Sequence, residues 1–168
     1  GHYQIEKLME NLTEGYLRAL GENDPERREQ VWSLLRTTEL QLSEQFTRFA
    51  AEFARVEPAQ ARVSTLALAL PFAEQWLPGA TFDMRQALQI HAQGIERAVR
   101  NDAGRSLRDK AFTLSAELFL MQHTCHWFCK SKTIASARLL ARHQTAYEQV
   151  LDSVAPETRR AYLALLRG

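Results

Sequence analysis

Four side chains able to bind metal fall within one short stretch: His123, Cys125, His126 and Cys129. Imidazole and thiolate are the usual ligands of a tetrahedral zinc site, which needs four of them converging on one point. On a continuous helix, at 100° per residue, they do not converge. His126 and Cys129 share a side at i, i+3, and Cys125 and Cys129 at i, i+4, while His123 points elsewhere. Two or three of them could hold one ion with the rest supplied by another helix, so His126 and Cys129 stand as candidate metal ligands. The plainer reading makes the cysteines small core hydrophobes and the histidines hydrogen-bonded members of a polar stripe. Two cysteines one helical turn apart are too few for a disulfide framework and poorly placed for a bond. That predicts free thiols and a cytoplasmic protein.

His91 lies among Leu88, Gln89, Ile90 and Ala92, at the boundary of an apolar face. A histidine there could ligate heme iron from the proximal side. The order of elements, a mid-chain helix bearing His91, then a long helix, then another, is similar to that of sensor globins. This likeness of order, which no motif accompanies, implies a heme at His91. The competing expectation is a core histidine with a satisfied hydrogen bond.

Two carboxylates fall in apolar surroundings. Glu39 interrupts a seam of apolar residues, and Glu117 sits within the most apolar stretch of the chain. Facing one interior, they could raise each other's pKa and bind metal or move protons. An enzyme would need Glu39, Glu117 and His126 to meet in one cavity. Di-metal carboxylate bundles, however, use Glu-x-x-His on two helices, and no such spacing occurs. The structural expectation pairs Glu117 with Lys110 or a neighbouring helix, and Glu39 with Arg36 or a residue on a partner helix. No glycine-rich phosphate loop, no G-x-S-x-G elbow and no Ser-His-acid arrangement is present.

The elements that must position these groups are helices. Trp32, Leu35, Leu42, Phe46, Phe49, Phe53 and Val56 recur at steps of three and four, a single stripe on one helix. Phe46, Phe49 and Phe53, with Glu39, could line a ligand pocket between helices, although a packed core is the simpler role. Tyr3 to Leu20 is amphipathic, with Gly21 as its C-cap. Asp24-Pro25 opens a long helix over about 24–56, roughly 48 Å at 1.5 Å per residue. Pro58 opens a third helix to Leu70, broken by Pro71 and closed by Pro78-Gly79. Thr81 caps a fourth, with Asp83 in its first turn, to about Arg100. Asn101-Asp102 with Gly104 makes a turn.

A second long helix spans about 106–130. One of its faces carries Leu114, Leu118, Met121 and Cys125. The other carries Phe112, Ala116, Phe119, Leu120 and Trp127. Polar stripes lie between them: Thr113, Glu117 and Thr124; and Ser115, Gln122 and His126. A helix apolar on two faces is packed on both sides. Ile134 to Ser153 forms a sixth helix, and Pro156 starts a short last one with Tyr162, Leu163, Leu165 and Leu166. The expectation is an all-α single domain, a bundle of about six to seven helices.

The totals limit the function. The chain has 168 residues, 45% of them hydrophobic, and a formal net charge of +1, enough for one real core. That charge supplies no field to draw in DNA or an anionic membrane. Lys130, Lys132, Arg138 and Arg142 could touch phosphate, but without a helix-turn-helix, nucleic-acid binding through this domain is disfavoured. No run of 18 apolar residues spans a bilayer, and the start lacks a signal-peptide pattern. Gly1-His2 reads as a tag remnant, and the domain could be cut from a longer protein. The leading expectation is a non-catalytic regulatory or sensory domain that forms a homodimer and binds a ligand, a protein partner or another domain of its own chain. The alternatives are a heme- or metal-binding sensor using His91, or His126 with Cys129, and the ligand-binding half of a transcription regulator.

Overall fold

A computed structural model describes residues 3–64, 81–131 and 148–167. Helix α1 (Ile5–Gly21) buries Leu8, Met9, Leu12, Tyr16 and Ala19, the three-and-four spacing of one helical face. Asp24 then caps α2 (Pro25–Phe53), its carboxylate accepting from the Glu26 N–H at 3.3 Å, with Pro25 at the first helical position. Both devices suit a helix start. α1 packs along α2, and Gly15 permits it: the Leu35 side chain occupies the space that any Cβ there would fill.

The chain next departs from expectation. Pro58–Ala61 is a single 3-10 turn, followed by strand β1 (Arg62–Ser64), which pairs antiparallel with β2 (Thr81–Asp83). Val63 faces Phe82 in the register, and both are fully buried. The third helix expected from Pro58 is therefore absent through Ser64, and its remainder, with Pro71 and Pro78-Gly79, lies outside the described residues. Burying β-branched Val63 against a residue nineteen positions away outweighs the helical propensity of its neighbours. Strands of three residues are also too short to show alternation in a sequence.

Helix α3 (Met84–Arg100) is capped by Asp83, not Thr81; its carboxylate accepts from the Arg85 N–H at 2.9 Å. It ends at Asn101, left-handed at φ 56°, whose side chain holds Arg105 through both its amide nitrogen (2.8 Å) and oxygen (3.0 Å). The Ser106 hydroxyl accepts from the Asp109 N–H at 3.2 Å at the start of α4 (Leu107–Ser131). Residues 148–153 are helical and lead into α5 (Pro156–Arg167). The rest of the expected sixth helix, and with it Lys132, Arg138 and Arg142, lies outside the described residues.

The architecture is all-α, with one small ladder. α3 packs on α2, α4 and α5. A main core collects Leu12, Leu42, Phe46, Phe82, Leu88, Ile95 and Leu114, and a smaller one collects Ala116, Leu120, Val154 and Tyr162. The second apolar face of α4 is only partly covered: Ala116 and Leu120 are buried, but Phe112 and Phe119 are 56% and 41% exposed.

Candidate functional site: a buried polar column beside an open cleft

Among the described residues, a column of polar side chains runs between α3, α4 and α5 in two layers. In one layer His91 Nε2 lies 2.7 Å from Thr124 Oγ1, which lies 3.0 Å from the Tyr162 hydroxyl. The His91 and Tyr162 rings sit 5.4 Å apart, centroid to centroid. In the other layer Glu117 Oε1 accepts from the Thr158 hydroxyl at 2.7 Å and from the Ala155 N–H at 3.3 Å. Each helix gives one residue to each layer, at helical spacings: His91 and Gly94 on α3, Glu117 and Thr124 on α4, Thr158 and Tyr162 on α5. Gly94 is required, because a Cβ there would lie 2.6 Å from Thr158 Oγ1 and against Glu117 Oε2.

Electrostatics follow from burial. His91 is fully buried, and loss of water lowers its pKa to about 3, so the ring is neutral. Thr124 donates to the Leu120 carbonyl at 3.1 Å, so its lone pairs accept from the His91 Nε2–H and the Tyr162 hydroxyl. This network places the ring proton on Nε2, and Nδ1 has no hydrogen-bond partner. For Glu117, burial raises the pKa to about 7, against the opposing hydrogen bonds from Thr158 and Ala155 and the charge of Arg97. Its Oε2 also has no hydrogen-bond partner. Arg97 donates to Thr158 Oγ1 at 3.3 Å and faces Glu157 at 3.9 Å.

A separate polar cluster joins α1, α2 and α4. Glu39 accepts from the Tyr16 hydroxyl at 2.8 Å and pairs with Lys110 at 3.4 Å. Burial, with the Glu39 charge beside it, pushes the Tyr16 hydroxyl far up, so it donates without ionising. Lys110 thus belongs to Glu39 and not to Glu117, and Glu39 finds no use for Arg36. α4 places Lys110 and Glu117 seven positions and about 10 Å apart along its axis.

The remaining candidates do not join these clusters. His126 and Cys129 are exposed and lie about 160° and 140° around α4 from Thr124, away from His91. Cys125 is half-buried and burial lifts its thiol to about 11, far from the thiolate a metal requires. Among the described residues no three His, Cys, Asp or Glu side chains are grouped to hold an ion. Phe46 is buried, and Phe49 and Phe53 pack in series with it at 6.0 and 6.2 Å, Phe53 closing on Phe128 at 5.8 Å. The ladder is packed on itself. Glu39, Glu117 and His126 meet in no common site.

A cleft of about 580 Å³ opens instead between β2, α3 and α5, with Arg62 at its edge. Its floor is apolar, from Phe82, Ile90 and Leu165, and its wall carries Gln86, Gln89 and Gln93. Asp83 lines it too. Burial works against the Asp83 charge, but the hydrogen bonds from the Arg85 side chain and backbone and the charges of Arg85 and Arg62 outweigh it and lower its pKa. Sequence reasoning missed this cleft: glutamines on a helix carry no pattern that would single out Gln86, Gln89 and Gln93. It grouped Thr113, Glu117 and Thr124 correctly as one stripe, yet all three are buried. No protein-family model, curated protein or solved structure matches the chain.

Proposed function

We propose that this is a non-catalytic regulatory domain that binds a ligand in the cleft between β2, α3 and α5 and works as a homodimer. One observation carries the ligand site: the cleft joins an apolar floor to a polar wall, at a volume typical of small-molecule sites. The buried acid–base groups support the non-catalytic half of the reading. His91, Glu117 and Glu39 are each engaged in bonds between helices, and none lines the cleft; Asp83, which does, is ion-paired with Arg85. A general acid or base must come within hydrogen-bond reach of its substrate. Dimerisation finds support in Phe112 and Phe119, exposed seven residues apart on α4 with Arg108 stacked 5.6 Å above the Phe112 ring.

Methyl and amide NMR with a mixture of small aromatic and aliphatic fragments tests the ligand site. Binding should move the signals of Ile90, Leu165 and the three glutamine side chains. Ala164→Trp places an indole in the cleft from an exposed position, and should abolish those shifts while leaving the melting temperature within a few degrees. Fragments that move only signals elsewhere would overturn the assignment.

A further inference from the structure

Three sulfur atoms follow one another along α4, and we infer that Met121, Cys125 and Cys129 form a binding site for one Cu(I) ion, separate from the cleft. Spaced four residues apart, they turn through only about 80° of the helix in all, each step rising about 6 Å. The Cys125 thiol donates to Met121 Sδ at 3.7 Å. Two sulfurs bound to one ion at about 2.3 Å each, an ordinary metal–thiolate length, stand about 3.8–4.0 Å apart. This pair already has the spacing of two ligands. Cys129 lies near enough for its charge to act on the Cys125 thiol. Met121 is buried, Cys125 half-buried and Cys129 exposed. The row leads from the core to the surface, where an ion would enter.

The donor chemistry selects the ion. Thiolate and thioether are soft ligands, which favour Cu(I) over magnesium, calcium or manganese. Zinc takes four thiolate, imidazole or carboxylate ligands in a closed site, and among the described residues no three such groups are gathered. Cu(I) is satisfied by two or three sulfurs. Burial holds the Cys125 thiol at about 11, so an ion that needs a thiolate already formed finds none there at neutral pH. Cu(I) bonds sulfur strongly enough to displace the proton itself. Binding joins one Cu⁺ to two thiols, releases two protons to solvent and changes no oxidation state. Its apparent affinity therefore rises with pH.

Titration of the reduced chain, without oxygen, against Cu(I) held by the coloured chelator bicinchoninate tests the site. The protein should withdraw one equivalent and develop the ultraviolet absorption of sulfur-to-copper charge transfer. Each pH unit below neutrality should weaken binding about a hundredfold, for two protons released per ion. Cys129→Ser, at an exposed position, should lose the uptake with helicity unchanged. Met121→Leu conserves core volume and keeps both thiols, and should weaken the uptake without abolishing it. Zn(II) offered in the same way should stay with its chelator. Copper left wholly with bicinchoninate overturns the inference, as does equal capture of Zn(II). So does uptake as tight as that of the wild type in either Cys129→Ser or Met121→Leu.

Discussion

At the scale of single residues, His91 and Glu117 carry opposite responses to pH. His91 has its folded pKa lowered to about 3 from 6.5, so between those values the unfolded chain binds the extra proton and stability rises with pH. Glu117 has its folded pKa raised to about 7 from 4.5. Between those values the folded chain binds the extra proton, so its contribution is greatest below pH 4.5 and falls away as pH rises to 7. Each slope is about 1.4 kcal/mol per pH unit, and between pH 4.5 and 6.5 they oppose. Glu117→Gln should therefore expose the histidine slope, with stability climbing from pH 4.5 to 6.5. His91→Gln should expose the falling slope of Glu117 over the same window. Urea denaturation at several pH values measures both, and parallel profiles for the two variants would refute the assignment. Neither response was legible in the sequence. Each depends on burial to 0% exposure, which comes from partners on α5 more than thirty residues away.

At the scale of elements, α3 packs on α2, α4 and α5, and Gly94 is where it admits the last two. Gly94→Ala should be destabilising despite the better helix propensity of alanine, because Glu117 and the Thr158 hydroxyl occupy the space. Overpacking of this kind costs about 1–3 kcal/mol, more than the roughly 1 kcal/mol that alanine gains over glycine in a helix. Denaturant midpoints decide the sign, and a more stable variant would show that α5 can shift without loss. A glycine inside an amphipathic stretch looks only like a weak point in a sequence; its purpose appears when α4 and α5 are in place. The helix ends were easier. Asp24-Pro25, Asn101 with Gly104, and Pro156 all mark boundaries through local chemistry. The error at Pro58–Ser64 arose where a tertiary pairing, Val63 with Phe82, overrode local preference.

At the scale of the whole molecule, the all-α class was legible because long stripes with a period near 3.6 survive in any packing. Which apolar faces would be covered was not. Phe112 and Phe119 read as core by periodicity alone and are exposed. If they form the dimer contact proposed here, Phe119→Asp should convert a dimer to a monomer in sedimentation equilibrium, with helicity unchanged. A wild-type chain that is monomeric at high micromolar concentration would refute the dimer. The cleft was illegible for a different reason: it needs β2, α3 and α5 together, and its glutamines carry no pattern that separates a wall from a solvated surface.

The buried column also governs heat. Near pH 5.5 the folded molecule holds both groups neutral, with the proton on Glu117, whereas the unfolded chain holds it on His91. Unfolding thus moves one proton from a carboxyl to an imidazole within the same molecule, and these two groups together exchange none with the solvent. Their share of the calorimetric enthalpy is then independent of the buffer, the same in acetate as in MES, although those buffers differ in their heats of protonation. Substituting either residue breaks the exchange, and the buffer's own heat enters the measurement.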